Sequence, residues 1–196
     1  MKHHIIYANH NDGSFNHAVK NKIEETLKNA GHEIFVSDLY AMQFNPVLTS
    51  EDLKRLYAGE IAPEIKAEQN KIAEADVLVI IYPVWWTSMP AILKGYIDRV
   101  FQYGFAYKAG SNGIEGMLHG KKVILFSSTG QPKEAYENGM YNAMDMTTNT
   151  GIFEFCGIEV LDHVYFPSIM TVTDEIRSQY IEEAAEIISK LSPTVK

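Results

Sequence analysis

Residues 9–16 carry amide and hydroxyl side chains and lead directly into a predicted helix. The first backbone N–H groups of a helix lack intrahelical partners and attract anions, so this segment is suited to holding a phosphate. Ser14 and Asn16 are equally suited to capping the helix without touching a ligand. The segment contains neither a GxGxxG nor a GxxxxGKS/T pattern, so the usual nucleotide-binding fingerprints are absent.

Residues 83–90 contain both tryptophans of the chain, Trp85 and Trp86, between Pro83 and Pro90. Two large aromatic side chains at one place form a stacking surface for a planar ring. A loop that packs against the core, or against a partner subunit, would have the same composition. Both interpretations, ligand platform and packed loop, stay open on the residues alone.

Residues 127–131 combine three hydroxyl side chains with Gly130, beside which a backbone can approach a ligand closely. An ordinary turn between a strand and a helix has the same composition. Tyr136 follows in a predicted loop, where a tyrosine commonly serves packing alone.

Metal and nucleophile chemistry are poorly supported. The seven histidines are dispersed, and no pair has the spacing of a zinc site with further ligands. No GxSxG elbow is present. Cys156 lies in the apolar stretch 153–157 and is predicted to be a buried thiol. As the single cysteine it excludes an intramolecular disulfide, which fits a reducing compartment.

Composition predicts one folded domain spanning residues 1–196, with 46% apolar and 21% charged residues. The 17 basic and 25 acidic residues give a net charge of −8, and the basic residues do not cluster, so we expect no nucleic-acid partner. The longest strongly apolar run, 77–82, is far below the ~18 residues of a membrane span. Because the N-terminus lacks the pattern of a signal peptide, we expect a cytoplasmic protein.

Strand and helix signals alternate along the chain. Strands are predicted at 5–7, 33–37, 77–82, 123–126 and 158–165. Apolar residues recur every fourth position from Phe15 to Leu27 and predict a helix that ends at Gly31. Further helices are predicted to start at 49–52 and to cover 65–73, 90–101, 147–155 and 173–191. Irregular structure is expected at 45–46, at 109–116 and after Gln131.

This alternation predicts an α/β fold, a doubly wound five-stranded parallel sheet with helices on both faces. Ligands of such folds bind beyond the carboxyl ends of the strands, near the point where the strand order reverses. The segments 9–16, 83–90 and 127–136 follow three of the predicted strands. We therefore expect them to lie at one edge of the sheet and to share a ligand.

Residues 83–101, PVWWTSMPAILKGYIDRVF, closely resemble the flavin loop and following helix of the NAD(P)H:quinone oxidoreductases, which are flavodoxin-like enzymes. Shorter matches occur in the family's order over nearly the whole chain: SFNHA at 14–18, SDLYAMQFNP at 37–46, AEQ at 67–69, FAY at 105–107, STG at 128–130 and FCG at 155–157.

The resemblance implies a non-covalent flavin at the interface of a homodimer. The matching positions imply phosphate contacts from Asn9, Ser14, Phe15, Asn16 and His17, ring contacts from Pro83, Val84, Trp85, Trp86 and Thr87, and contacts to the pyrimidine side of the ring from Ser128, Thr129, Gly130 and Gln131. Arg177 matches an arginine of FAD-binding members and favours FAD over FMN. Trp86 implies a substrate pocket, which Tyr107 and Phe155 of a partner subunit would complete.

The implied chemistry is a two-electron reduction by a ping-pong mechanism. NAD(P)H, the co-substrate, passes a hydride to flavin N5 and leaves, and a quinone-type acceptor then takes its place. The backbone N–H near Gly130 and the hydroxyl of Tyr136, the family's active-site tyrosine, would stabilise charge near flavin N1 and O2.

Three departures from the family pattern affect this expectation. Asn9 replaces a histidine found in many members, and Gln131 replaces a glycine. Tyr141 or Asn142 stands where the family has a histidine downstream of its tyrosine, which puts the proton relay in doubt; we place Asn142 among the candidate catalytic residues. An azo- or nitroreductase, or a regulatory flavoprotein that accompanies an ion-efflux system, are alternative functions.

Overall fold

The computed structural model describes residues 1–111 and 113–191. Its strands are β1 (Lys2–Tyr7), β2 (Glu33–Asp38), β3 (Val77–Pro83), β4 (Tyr107–Gly110), β5 (Gly113–Gly116), β6 (Lys122–Ser128) and β7 (Glu159–Phe166). Five of them form a parallel sheet in the order β2-β1-β3-β6-β7. The predicted doubly wound parallel sheet is thereby confirmed, with the order reversing between β1 and β3.

Helices cover both faces of the sheet. They are α1 (Phe15–Asn29), α2 (Ser50–Tyr57), α3 (Pro63–Glu74), α4 (Ala91–Val100), α5 (Met140–Asp145) and α6 (Asp174–Leu191), with a π-helix at Met146–Glu154 and a 3-10 turn at Lys133–Ala135. Helices α1 and α6 pack on one face, while α3, α4 and the π-helix pack on the other. Within the described ranges, no helix is long and apolar enough to cross a membrane.

Strand β3 is buried on both of its faces, which explains its uninterrupted apolar sequence. Alternate side chains point to opposite faces of a strand. Val77, Val79 and Ile81 therefore join the core cluster under α1 and α6, whereas Leu78, Ile80 and Tyr82 join the cluster under α3 and α4.

Two predicted helix starts agree with the structure. The Ser14 hydroxyl accepts a 3.2 Å hydrogen bond from the backbone N–H of His17 and caps α1. Thr49 and Asp52 form a reciprocal capping box at the start of α2.

The prediction of irregular structure at 109–116 was wrong for 109–110 and 113–116, because β4 and β5 pair there as antiparallel strands, while residue 112 lies outside the described residues. The glycine-rich sequence of this hairpin lacks the alternation that marks a strand. The stretch after Gln131 also contains a 3-10 turn and α5. The predicted helix 147–155 begins earlier, at Met140 after the left-handed Gly139, and continues as the π-helix.

A buried polar cluster joins β1 and β2 to α3 and α4. The Ser37 hydroxyl donates a 2.6 Å hydrogen bond to Glu68 Oε2 and lies 2.8 Å from His4 Nε2. The Tyr96 hydroxyl and the Lys71 ammonium donate to the same carboxylate. Burial opposes ionisation of Glu68, but the hydrogen bonds from Lys71 and Ser37 outweigh it and lower the pKa of that carboxyl.

Candidate functional site

A cavity of about 580 Å³ opens at the carboxyl edge of the sheet, beyond the ends of β1, β3 and β6. It is lined by Asn9, His10, Asn11, Gly13, Ser14, Phe15, Asn16, Ala18, Pro83, Trp85, Ser128, Ile169, Met170, Asp174, Arg177 and Ile181. The three segments singled out in the sequence thus contribute to one site at the topological switch point.

The first loop, residues 9–16, is shaped by side chains that hydrogen-bond to its own backbone. Asn9 Oδ1 accepts from the N–H of Asn11 at 3.0 Å, and Asn11 Oδ1 accepts from the N–H of Gly13 at 2.9 Å. Such turns fix the direction in which the chain enters a helix. They aim the N-terminus of α1 at the cavity.

That N-terminus offers donors without protein partners. Among the residues that the structure describes, the backbone N–H groups of Phe15 and Asn16 have no acceptor. The buried Nδ1 of His17 also lacks a hydrogen bond there, lying 4.0 Å from Asp12 Oδ1. This donor set fits a phosphate. The phosphate would accept hydrogen bonds from both N–H groups and would lie at the positive end of the helix dipole.

The second loop, residues 83–90, contains a tight turn built from bulky residues. Trp85 and Ser88 exchange backbone hydrogen bonds of 2.9 and 3.1 Å, and Trp86 and Thr87 between them have φ values of 51° and 54°. Glycine or asparagine normally occupies such positions, so the turn stores backbone strain. Strain of this kind is typical of functional loops. The Trp86 side chain in this turn is 97% exposed.

Direct hydrogen bonds connect these two loops with the third loop, residues 127–136. The Ser128 hydroxyl donates to Asn16 Oδ1 at 2.7 Å, and the N–H of Val84 donates to the Ser128 carbonyl at 2.8 Å. The third loop is tied in turn to the segment after β7, since Thr129 accepts from the N–H of Ile169 at 3.0 Å. These hydrogen bonds therefore connect all the loops that form the floor of the cavity.

Arg177 lies at the far end of the cavity, on α6. Its Nη1 donates to Asp174 Oδ1 at 2.5 Å, and its Nε donates to the Ile169 carbonyl at 3.2 Å. The guanidinium is one-third exposed and faces the cavity. It is the one arginine among the cavity-lining residues.

Tyr136 and Asn142 occupy different settings. Tyr136 is only 8% exposed and stacks on Tyr141, with ring centroids 5.1 Å apart. Asn142 is exposed, and its Nδ2 lies 3.8 Å from the sulfur of Met146. Neither residue lines the cavity described above.

Tyr107 and Phe155 lie together, with ring centroids 5.5 Å apart. They line a second cavity of about 420 Å³ with Phe101 and Ile152, separate from the cavity at the carboxyl edge. Of the predicted binding residues, His17, Val84, Trp86, Thr87, Thr129, Gly130 and Gln131 belong to the same three loops but not to the cavity wall.

Several lining residues were not predicted individually, although His10 lies within the predicted segment 9–16. His10 packs edge-on against Trp85, with ring centroids 5.9 Å apart. Ile169 and Met170 follow β7, the fifth strand, whose carboxyl end lies at the same edge of the sheet. The rule that pointed to the loops after three strands would have found this segment as well.

Comparisons with known proteins agree on the fold and on the kind of activity. A sequence profile described as flavodoxin-like fold matches residues 1–191. A relative from Haemophilus influenzae, described as an uncharacterized NAD(P)H oxidoreductase, is 38% identical over 95% of this chain and 93% of its own length.

A second relative, NAD(P)H dehydrogenase (quinone) 1 of Rattus norvegicus, is 33% identical over 91% of this chain and 73% of its own length. Among solved structures, the NAD(P)H:quinone oxidoreductase of Methanothermobacter marburgensis superposes with a TM-score of 0.88 at 28% identity. That superposition covers 98% of this chain and 99% of the other.

Proposed function

The chain belongs to the flavodoxin-like fold family, and on this premise we propose that it is a flavin-dependent NAD(P)H:quinone oxidoreductase. The observation that carries the proposal is the site at the carboxyl edge, where the unpaired N–H groups of α1 and the tryptophan turn flank one cavity. Relatives with quinone-reductase names match this chain over most of its length.

The residues present fit a flavin. The N-terminus of α1, with Ser14, Phe15 and Asn16, would hold a phosphate, and Trp85 in the cavity wall would flank the ring, with the exposed Trp86 next to it in the same turn. A methyl group added at Gly130 would meet no atom within 4 Å, which leaves open space beside the backbone of the third loop. A ring edge can therefore approach the Gly130 backbone closely.

We propose FAD rather than FMN as the flavin. The cavity continues past the phosphate-binding end of α1 to Arg177, Met170 and Ile181. FMN ends at one phosphate, whereas FAD carries a second phosphate and an adenosine. A cation beside the exposed Met170 and the partly buried Ile181 suits those additional groups.

When bound, the flavin would supply two-electron transfer from NAD(P)H to the acceptor, in a ping-pong order. The chain's own task is to orient the ring and to stabilise charge that develops on it. The Gly130 N–H and the Tyr136 hydroxyl are the donors that we assign to this charge. Asn142 is exposed and turned toward Met146, so we assign it no proton transfer.

We further propose a homodimer in which Tyr107 and Phe155 of one subunit complete the other's pocket. This pair lies on a cavity of its own, and Phe155 is 47% exposed. Trp86, at 97% exposure, likewise presents an aromatic surface that a second subunit would cover.

Anaerobic titration tests the proposal. Purified protein should take up FAD, turn yellow and lose the flavin absorbance on addition of NADH or NADPH, and a quinone should restore it. A protein that binds neither FAD nor FMN would overturn the proposal. Rapid reduction of the flavin with slow turnover of every quinone, azo dye and nitroaromatic tested would instead favour a regulatory flavoprotein.

A further inference from the structure

A buried imidazole, His163 of β7, lies at one end of a column of aromatic rings in contact. Tyr136 stacks on Tyr141 with centroids 5.1 Å apart, Tyr141 packs on Tyr165 at 4.6 Å, and Tyr165 stacks on His163 at 4.2 Å. We call these four residues the ring ladder. Its two ends are 27 positions apart in the sequence and come from different elements.

Both nitrogens of His163 have partners in the protein. Nε2 lies 2.9 Å from the Ser127 hydroxyl and 3.2 Å from the Tyr82 hydroxyl. Nδ1 lies 3.0 Å from Asn149 Oδ1 and 3.2 Å from Asp145 Oδ1. A carboxylate only accepts, so Nδ1 carries the proton and Nε2 accepts from a hydroxyl.

This arrangement prevents rotation of the imidazole. The Tyr165 hydroxyl also donates to Asp145 Oδ1, at 2.9 Å, which locks the next ring of the ladder to the same carboxylate. Burial lowers the pKa of His163, although Asp145 partly offsets the effect, so the ring stays neutral at pH 7. A neutral ring keeps Nε2 available as an acceptor.

The other end of the ladder, Tyr136, belongs to the segment 127–136 that follows β6. Burial raises the pKa of Tyr141, and a hydrogen bond with Thr129 partly offsets this rise. The backbone N–H of Tyr141 donates to the Tyr136 carbonyl at 3.2 Å, and the two rings stack on each other. Ser127 and Tyr82, which hold His163, directly precede Ser128 and Pro83 of the cavity wall.

We propose that His163 is a positioning residue for Tyr136, fixing the place of that ring through Tyr165 and Tyr141. The inference rests on the proposed function, in which Tyr136 stabilises charge on the flavin. In this arrangement the residues that support Tyr136 lie on β7 and α5. Asn142, six residues after Tyr136, is exposed and contacts Met146 instead.

The first test needs no flavin. Flavin-free protein is labelled with fluorotyrosine, and the Tyr136 signal in the 19F NMR spectrum is assigned as the one lost in Y136F. H163F retains a ring but loses every hydrogen bond of the imidazole, so the Tyr136 signal should shift or broaden. V160A, a matched control on the same strand outside the ladder, should leave it in place.

The second test is a double-mutant cycle on the flavin-loaded protein. H163F should slow flavin reduction by NAD(P)H about tenfold, as a small displacement of a catalytic group does. Because His163 acts through Tyr136, H163F/Y136F should reduce no more slowly than Y136F alone. K133A, on an exposed side chain beside the ladder, should reduce at the wild-type rate.

An unchanged Tyr136 signal in folded H163F, or independent effects of the two substitutions on the rate, would overturn the inference. If H163F does not fold, D145N replaces it in both tests, because it weakens the contacts of Asp145 with His163 and Tyr165 at constant size. Failure of wild-type protein to bind flavin overturns the proposed function instead, and the 19F spectrum still decides whether His163 positions Tyr136.

Discussion

The Ser128 hydroxyl donates a 2.7 Å hydrogen bond to the side-chain oxygen of Asn16, 112 positions earlier in the chain. Both groups are buried. The bond joins the last residue of β6 to the first turn of α1, the two places where the proposed phosphate and ring contacts begin. We therefore expect the carboxyl-edge site to depend on this connection.

Replacing Ser128 by alanine should weaken flavin binding about fivefold, since it leaves a buried amide oxygen without its donor, at a cost of about 1 kcal/mol. Fluorescence titration of flavin-free protein with FAD measures the effect. S189A removes an exposed hydroxyl from α6 and should bind like wild type. Equal affinity of S128A and wild type would show that the Ser128–Asn16 bond does not support the site.

Arg177→Ala should separate the two flavins. We expect the Kd for FAD to rise about tenfold and the Kd for FMN to change less than about twofold, because in our proposal only the adenosine half of FAD would reach α6. K190A, which removes an exposed cation from the same helix, is the matched control. An equal loss of affinity for both flavins would contradict our assignment of FAD.

Tyr136→Phe should slow flavin reduction by NAD(P)H about 10- to 100-fold while the Kd for flavin stays nearly constant, because in the proposed function the hydroxyl acts only on developing charge. Anaerobic stopped-flow measurements follow the rate directly. Y57F changes a tyrosine that is 86% exposed and should have no effect. A Y136F enzyme as fast as wild type would remove the role assigned to this hydroxyl.

Gly95→Ala should destabilise the fold by about 3 kcal/mol. A Cβ at Gly95 would lie 2.1 Å from the Pro46 carbonyl oxygen, so α4 would have to move away from the 45–46 loop. G59A is the control: its φ of 75° is strained, at about 1 kcal/mol, but no atom lies within 4 Å of the added carbon. Denaturant unfolding should rank G95A below G59A.

Acid should destabilise the protein through His4. Burial lowers the pKa of His4 from 6.5 to about 4. The unfolded chain therefore binds a proton more readily than the folded one, and stability that is complete above pH 6.5 is lost as the pH falls toward 4. The loss amounts to about 3 kcal/mol at pH 4.

Denaturant unfolding of H4N should show a flatter dependence on pH between 6.5 and 4 than unfolding of wild type. H10N, which changes an exposed histidine, should keep the wild-type slope. A slope in H4N equal to that of wild type would assign the acid lability to other groups. Below pH 4.5 the lowered pKa of Glu68 adds a second loss, as its carboxylate becomes protonated.

Sequence reasoning recovered the elements with strong local signals. The all-apolar run of β3 predicted a strand covered on both faces, and the four-residue apolar spacing of α1 predicted its buried side. Strands and helices that alternate in this way allow few topologies, so the edge where the site lies could also be predicted. The hairpin β4–β5 could not be predicted, because its strands lack the alternation of apolar and polar residues and their pairing depends on tertiary contacts.

By itself, then, the sequence determined the parallel sheet, its carboxyl-edge loops and the family resemblance. Only the tertiary structure decided the surroundings of Tyr136. A β-bulge between β6 and β7 pairs Val123 with Val160 but Ile124 with Asp162, leaving one extra residue in β7. Side chains alternate along a strand, so this single insertion turns His163 and Tyr165 toward the π-helix and Asp145. No local sequence pattern encodes this change of side-chain direction, because it arises from the register of two strands that are distant in sequence.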